Sequence, residues 1–367
     1  MAVKKKICFF AIDLYERGGL QRVTIDIANQ LSNYCEVYIL TFQNEGFNSF
    51  AYRLDKRVQV TYLKRMCKTR TLKRKAQSIL QMCHIRRYLK LHNFDSFISV
   101  GMASVVWTCI PQLMLRCRYI CWDHTSFLRT DTWAVRGRRL SRLFADKIVV
   151  LTSKDAALWK SSKVSVIYNP SPFDIRRADC EISRYRKKNQ IVSLGRFVPV
   201  KGFDRLLDIW KIVNSKCSDP FSLMLIGEGP LKEHLTERIV NENIPNISIE
   251  PFTENINIVY CESKIQLLTS TFEGLSMVLI EGMTYCLPAI SFDIPSGPGE
   301  IVDDGITGYL VEDNENEVFA DKIILLMSND SLLFKLSDNC KKKRNIFDAS
   351  EIIDHWLSLL NIKCGKA

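Results

Sequence analysis

Nowhere in the 367-residue chain is there a run approaching the roughly 20 consecutive apolar residues that a membrane-spanning helix needs. The opening, Lys4-Lys-Lys6 before Ile7-Cys-Phe-Phe-Ala-Ile12, has the outline of a signal peptide, but its apolar stretch stops at Asp13 and no small-residue cleavage site follows. A first buried strand is expected there instead. The 13 cysteines include no Cys-x-x-Cys pair and no Cys/His ligand spacing, and several (Cys8, Cys83, Cys109, Cys121) sit inside apolar segments. An odd number of thiols so placed points to a reducing, cytoplasmic setting and away from a disulfide scaffold or a structural metal. No zinc finger, RNP-like aromatic motif or helix-turn-helix pattern is present, so nucleic acid is not an expected partner. No short-period repeat appears either.

Acidic residues are missing from one long segment. From Lys64 to Lys90 there are ten basic residues, Lys64, Arg65, Lys68, Arg70, Lys73, Arg74, Lys75, Arg86, Arg87 and Lys90, and no carboxylate. Arg116, Arg118, Arg129, Arg136, Arg138, Arg139 and Arg142 continue the bias, so the net charge of +11 belongs to the amino-terminal half. This excess is more than solubility requires. Each cation near an anionic bilayer contributes about 1 kcal/mol, so a peripheral position at the inner face of the plasma membrane is expected. Within the segment Leu72, Ala76, Ile79, Leu80 and Cys83 recur at helical spacing. They predict an amphipathic helix packing its apolar stripe on a sheet, with a basic flank.

What the chain does have is alternation, with 47% apolar residues and length enough for two full cores. Ile7–Ile12, Glu36–Thr41, Val58–Leu63, Ser96–Val100, Tyr119–Trp122 and Lys147–Leu151 read as strands of a first α/β unit. Ile191–Leu194, Ser222–Ile226, Ile247–Glu250, Ile265–Leu268, Ala289–Phe292 and Gly308–Val311 read as strands of a second. Helical patterns lie between them, for example Leu20–Leu31, Phe203–Val213 and Leu231–Val240, which implies parallel sheets covered on both faces. Asn169-Pro-Ser-Pro172 and the polar stretch Arg176–Gln190 read as the linker. Ile352, Ile353, Trp356, Leu359 and Leu360 mark a last amphipathic helix.

Candidate chemistry collects at strand ends. Glu273 falls in the loop after the strand Ile265–Leu268, and Glu281 lies more than a turn into the helix that begins near Ser276. In open α/β sheets ligands bind at that crevice, where a helix start offers unpaired N–H groups to an anion. Gly195-Arg-Phe-Val-Pro-Val-Lys-Gly202 follows another strand, and its Arg196 and Lys201 both stay charged at neutral pH, which suits a diphosphate. Gly227-Glu-Gly-Pro230 is a second tight strand-to-helix turn, expected to line the nucleotide side. Arg17-Gly-Gly-Leu-Gln-Arg22 opens a helix after the first strand, where Gly18 and Gly19 would let backbone N–H groups approach a ligand. Trp122-Asp-His-Thr-Ser126 ends a strand, offering His124 and Asp123. No Asp-x-Asp follows a strand, and with the cations already present no catalytic metal or cofactor is expected.

The order Glu273-Gly-Leu-Ser276, Glu281-Gly-Met283, Leu287-Pro-Ala-Ile290, Pro295-Ser-Gly-Pro298 and Asp304-Gly-Ile-Thr-Gly308 resembles the donor-sugar signature of the retaining family 4 glycosyltransferases. That group includes bacterial enzymes of lipopolysaccharide (O-antigen), capsule and exopolysaccharide synthesis. The resemblance implies the GT-B architecture, two Rossmann-like domains facing across a cleft. It divides the chain into an amino-terminal acceptor domain (1–170), a nucleotide-sugar donor domain (171–345) and a carboxyl-terminal helix (346–367) returning to the first domain. It also implies roles: Arg196 and Lys201 clamp the donor diphosphate, and Gly18 and Gly19 lie under it. Glu273 holds hydroxyls of the transferred sugar, Glu281 holds the ribose, and the backbone from Gly274 through Leu275 and Ser276 to Met277 caps sugar and β-phosphate. Ser296-Gly-Pro298 shapes the same pocket, and His124 contacts the donor sugar near its C6 hydroxyl. Asp123 is left between orienting His124 and meeting the acceptor. There are two departures. Gln21 stands where an acidic residue is common and receives no role, Arg22 beside it being structural; Cys286 stands where glycine is usual.

The expected activity is therefore transfer of a hexose from a nucleoside diphosphate sugar, with retention, to a lipid-linked oligosaccharide or lipopolysaccharide-type acceptor. The cations and the helix start would stabilise the leaving diphosphate, whose oxygen takes the acceptor's proton. No carboxylate is identified across the sugar ring for a double displacement. The loop Phe292-Asp-Ile-Pro-Ser-Gly-Pro298 is similar to that of bacterial enzymes using UDP-activated galactose-, N-acetylgalactosamine- or glucose-type donors, which favours a UDP-sugar and leaves GDP-mannose open. Two other classes compete: a GT-B nucleotide-sugar epimerase, against which the basic first domain weighs, and a non-enzymatic binder of anionic glycan or nucleic acid, which leaves the donor signature unexplained.

Overall fold

A computed structural model of the chain describes residues 4–16, 18–43, 49–64, 72–182, 188–217 and 221–363, the side chains of 72–75 apart. It divides into two compact units, Met1–Pro170 with Ser350–Ala367, and Ser171–Ala349.

The first unit is a seven-stranded parallel sheet: β1 (Lys6–Ala11), β2 (Glu36–Phe42), β3 (Gln59–Leu63), β4 (Ser96–Val100), β5 (Arg118–Trp122), β6 (Lys147–Val150) and β7 (Val164–Val166), in the order β3-β2-β1-β4-β5-β6-β7. β1 and β4 are buried along almost their whole length, as strands covered on both faces must be. β7 goes beyond the six strands expected. It is three residues of Val-Ser-Val, only partly buried at the sheet edge, and such a piece leaves no apolar run to read.

The helix Leu72–His92 departs from expectation in its packing. Among its described side chains Gln81, Ile85 and Leu89 are buried, whereas Ala76, Ile79, Leu80 and Cys83 are exposed. The Gln81 amide donates to the Lys64 carbonyl (2.9 Å) and the Arg86 guanidinium to the carbonyls of Pro111 (2.9 Å) and Leu113 (2.7 Å). These bonds go with a rotation of the helix that puts Ile85 and Leu89 into the core. Of the basic segment, Arg65, Lys68 and Arg70, and the side chains of Lys73, Arg74 and Lys75, lie outside the described residues.

The second unit is a six-stranded parallel sheet: β8 (Gln190–Leu194), β9 (Ser222–Ile226), β10 (Ile247–Glu250), β11 (Ile265–Leu268), β12 (Ala289–Asp293) and β13 (Gly308–Glu312), in the order β10-β9-β8-β11-β12-β13. Its core joins Leu223, Leu225, Ile265 and Ile290 to Leu206, Trp210, Phe319 and Ile323 of the covering helices. The strand order reverses between β8 and β11.

Two boundaries differ from the sequence reading. The supposed linker Arg176–Gln190 begins inside the helix Ile175–Ile182, and its Gln190 begins β8. Charge hid that helix. It buries Ala178 beside Tyr260 and Tyr285, and turns its buried Glu181 to accept a hydrogen bond from the Tyr285 hydroxyl (2.8 Å). At the other end the change of unit comes at Ser350 instead of 346, because the short turn Arg344–Phe347 stays with the second unit: Phe347 is buried and its carbonyl accepts from the Ser171 N–H (2.8 Å). The last helix, Ala349–Leu359, belongs chiefly to the first unit. Its buried Trp356 meets Trp122 edge-on at 4.7 Å. Its final carbonyls accept from Lys5 Nζ (Leu360, 3.1 Å) and the Arg118 guanidinium (Leu359), cations placed where the helix dipole favours them.

Candidate active site

In the second unit the loops that follow β8 and β11 flank the point where the strand order reverses, the position at which such sheets bind ligands. These loops are fastened to each other. Thr271 N–H donates to the Val200 carbonyl (2.9 Å), and the Thr269 hydroxyl to that of Gly202 (2.9 Å). Lys201 Nζ reaches Glu273 Oε1 at 2.6 Å, and the Ser270 hydroxyl donates to the same oxygen at 2.6 Å. The two residues expected at opposite ends of a glycosyl phosphate are thus one ion pair. Glu273 is largely buried, and Lys201 keeps a quarter of its side chain exposed. Arg196 differs: it is exposed and makes no ion pair among the described residues.

Glycines make the close approach of these loops possible. Gly202 has φ +66°, and a Cβ there would lie 2.0 Å from the Thr269 carbonyl oxygen. A Cβ on Gly227 would lie 1.9 Å from the Gly195 oxygen, and one on Gly229 would lie 2.5 Å from that of Phe197. The Gly227–Gly229 turn therefore uses its missing side chains to seat the Arg196 loop, which it also holds by Phe197 N–H to the Glu228 carbonyl (2.9 Å).

The helix Met277–Thr284 starts at the same edge. No side chain caps it, and the Ser276 hydroxyl is buried with no hydrogen-bond partner among the described residues. Leu275 is buried beneath the turn, and Gly297 packs so tightly on Gly274 that a Cβ would come within 2.4 Å of its carbonyl oxygen, which brings the 295–298 loop to this edge. Glu281, one turn on, accepts from the Tyr260 hydroxyl at 2.9 Å. The helix ends in a Schellman-type arrangement, with Leu287 N–H bonded to the Gly282 carbonyl (3.0 Å) and Cys286 at φ +60°. This accounts for the usual glycine. Cys286 takes the left-handed conformation itself, with its buried sulfur 3.4 Å from the Arg344 guanidinium.

Three residues were not singled out from the sequence. Arg205 donates to the carbonyls of Thr269 (2.5 Å) and Ser270 (2.6 Å), pairs with Asp313 (2.6 Å) and lies 4.0 Å over the Phe292 ring, so it organises the loop carrying Glu273. In sequence it is a helix cation like any other. Ser270 and Tyr260 hold the two glutamates, and neither sits in a motif of its own.

In the first unit, Gly18 is extended (φ −173°), a conformation open to any residue, and Gly19 begins the helix Gly19–Leu31. Arg17 lies outside the described residues. Arg22 pairs with Asp26 (3.9 Å) and lies over Tyr52. Asp123 is buried and bonded to Arg138 Nε (2.9 Å) and to the Thr125 amide and hydroxyl; Arg138 in turn donates to the carbonyls of Ser126, Phe127 and Arg129. Burial raises the Asp123 carboxyl's pKa and the Arg138 charge opposes it. Asp123 thus ties down the loop after β5. His124 packs on Trp122 with ring centres 4.1 Å apart, its Nε2 is buried without a partner among the described residues, and burial pushes its pKa down to about 3. At neutral pH it is an uncharged imidazole.

Comparison with known proteins agrees over nearly all of the chain. The family Glycosyltransferase Family 4 matches residues 17–172 and Glycosyl transferases group 1 matches residues 175–344. The chain is 30% identical over 359 residues to the amylovoran biosynthesis glycosyltransferase AmsD of Erwinia amylovora, covering 94% of this chain and 96% of that one. It is 26% identical over 357 residues to a Campylobacter jejuni enzyme named as an α-1,4-N-acetyl-D-galactosaminyltransferase acting on a diNAcBac-PP-undecaprenol-linked GalNAc glycan, covering 96% and 97%. Among solved structures, Anabaena HepE in complex with UDP has a TM-score of 0.81 at 18% identity, over 97% of this chain and 99% of that one. With its two parallel-sheet Rossmann-like units and these relatives, the chain belongs to the family 4 glycosyltransferases of bacterial polysaccharide biosynthesis and has the GT-B fold.

Proposed function

We propose that this glycosyltransferase moves a hexose from a UDP-sugar, with retention and without a catalytic metal, to a lipid-linked glycan at the membrane surface. The carrying observation is the Lys201–Glu273 pair set at the point of strand reversal by two interlocked loops. Arg196 and Lys201 take the diphosphate, and the Gly274–Met277 turn with its uncapped helix start adds dipoles aimed at the same charge. A donor that engages Lys201 releases Glu273 for the sugar hydroxyls. Glu281 is assigned to the ribose and the turn at Gly227–Gly229 to the nucleotide, while in the first unit Gly18, Gly19 and the neutral His124 are the residues that the family resemblance assigns to the donor. The UDP in HepE and the undecaprenol-linked substrate named for the Campylobacter relative favour this donor and this acceptor class. The test is a panel of UDP-, GDP- and ADP-sugars with released nucleotide as readout. UDP release with one UDP-sugar supports the reading, and turnover confined to a GDP- or ADP-sugar overturns the donor assignment.

Tyr260 is the residue through which the ribose contact can be checked. Its hydroxyl is the donor that orients Glu281, while its buried ring stacks on Tyr285 at 5.7 Å. Tyr260→Phe keeps the ring and removes about 1 kcal/mol of hydrogen bonding, so UDP should bind about fivefold more weakly with kcat nearly unchanged. An unchanged dissociation constant in titration calorimetry would detach Tyr260 from the donor site.

A further inference from the structure

The helix Leu72–His92 carries apolar side chains on two opposite faces. Ile85 and Leu89 are in the core, yet Ala76, Ile79, Leu80 and Cys83, at the i, i+3, i+4, i+7 spacing of one stripe, are all exposed, Ile79 at 64% and Leu80 at 54%. The same stripe continues into Arg87 and Lys90, both exposed. Arg86, through its bonds to Pro111 and Leu113, fastens beside the helix a turn whose Ile110 and Met114 are 57% and 96% exposed. Single exposed apolar residues call for no explanation, but a helical stripe with a second apolar turn fixed next to it does.

Charge indicates what covers it. No carboxylate stands between Lys64 and Lys90, and the described cations Lys64, Arg87 and Lys90 are exposed, so a second copy of the chain laid on this face would bring like charge against like. An anionic bilayer meets both demands, taking the apolar side chains below the headgroups and the cations at their level. The helix cannot cross a membrane, since among the described residues none is long and apolar enough to do so. We infer that Ile79 and Leu80, with Ala76, Cys83 and the Ile110–Met114 turn, insert shallowly into an anionic lipid surface, with Arg87 and Lys90 bound to its headgroups. This inference rests on the proposed lipid-linked acceptor and gives it a mode of approach.

The test is flotation with vesicles of phosphatidylcholine alone or with about one third phosphatidylglycerol, at about 0.1 M salt. The full-length protein should float only with the anionic vesicles. Ile79→Ser with Leu80→Ser should reduce partitioning at least tenfold, and Arg87→Gln with Lys90→Gln by about the same factor. Both double variants should keep wild-type hydrolysis of the donor sugar without lipid, since neither pair is among the residues assigned to the donor. Anionic-vesicle binding that is insensitive to the Ile79/Leu80 change, or absent altogether, overturns the inference. So does a wild-type dimer that the Ile79/Leu80 change converts to monomer, which would make a second copy the occupant. Vesicle binding needs no donor, so lipid binding without turnover of any nucleotide sugar would sink the transferase reading and leave this one standing.

Discussion

Lys201→Ala and Arg196→Ala are each expected to lower kcat/KM by at least about a hundredfold, equivalent to about 2.7 kcal/mol of lost transition-state stabilisation. Charge builds on the leaving diphosphate as the glycosidic bond breaks, and a cation paired with it stabilises that charge more than it stabilises the bound donor. The two variants should separate in stability. Arg196 is exposed and has no ion-pair partner among the described residues, so its loss should leave the melting temperature unchanged. Lys201 is paired at 2.6 Å with a Glu273 that is largely buried, so its loss strands a carboxylate and should lower the melting temperature as well. Lys201→Arg keeps the charge and should recover part of both. Steady-state release of nucleotide and a thermal melt of each variant check the pair; near-normal turnover in either alanine variant would remove that residue from the diphosphate clamp.

Gly202→Ala should destabilise the protein by about 3 kcal/mol or more and abolish most of its activity. A left-handed alanine costs about 1–2 kcal/mol by itself. Here the new methyl would also lie 2.0 Å from the Thr269 carbonyl oxygen, a contact that only backbone movement can relieve. That movement separates the two loops, breaking the Thr269 hydroxyl bond to Gly202 and shifting Lys201 from Glu273. Gly305 provides the control, since it has φ +70° but nothing within 4 Å of where a Cβ would stand. Gly305→Ala should therefore show the conformational cost alone, about 1–2 kcal/mol, with activity kept. Urea unfolding of the two variants measures the difference, and equal losses would show that the close approach of the loops carries no energy.

The places where the sequence was legible share one property. β1, β4 and β11 are short, mainly apolar stretches, so their burial is largely written locally, and the Glu273–Gly308 motifs are short and ordered. Legibility failed where a partner distant in sequence decides. The helix Ile175–Ile182 looked like linker because its buried face is Ala178 with the carboxylate of Glu181, and one of the groups that satisfies that carboxylate, the Tyr285 hydroxyl, is over a hundred residues away. The helix Leu72–His92 was legible as a helix, but not as one with a single apolar stripe: its apolar residues lie on two opposite faces, and the face of Ile85 and Leu89 packs on the core. Arg205, Ser270 and Tyr260 were invisible for the same reason, as each acts on a residue brought near only by folding.

The sequence by itself determined the alternation of strands and helices, the family, and which residue types stand at the ends of β5, β8 and β11, because periodicity and short motifs are properties of neighbours along the chain. Only the tertiary structure decided that Lys201 and Glu273, 72 residues apart, form one ion pair, that Asp123 serves Arg138, and that Ile79 and Leu80 remain uncovered. Those outcomes depend on which strands lie side by side and on which helix face has the better complement in the core. No window along the chain contains both partners of such a choice.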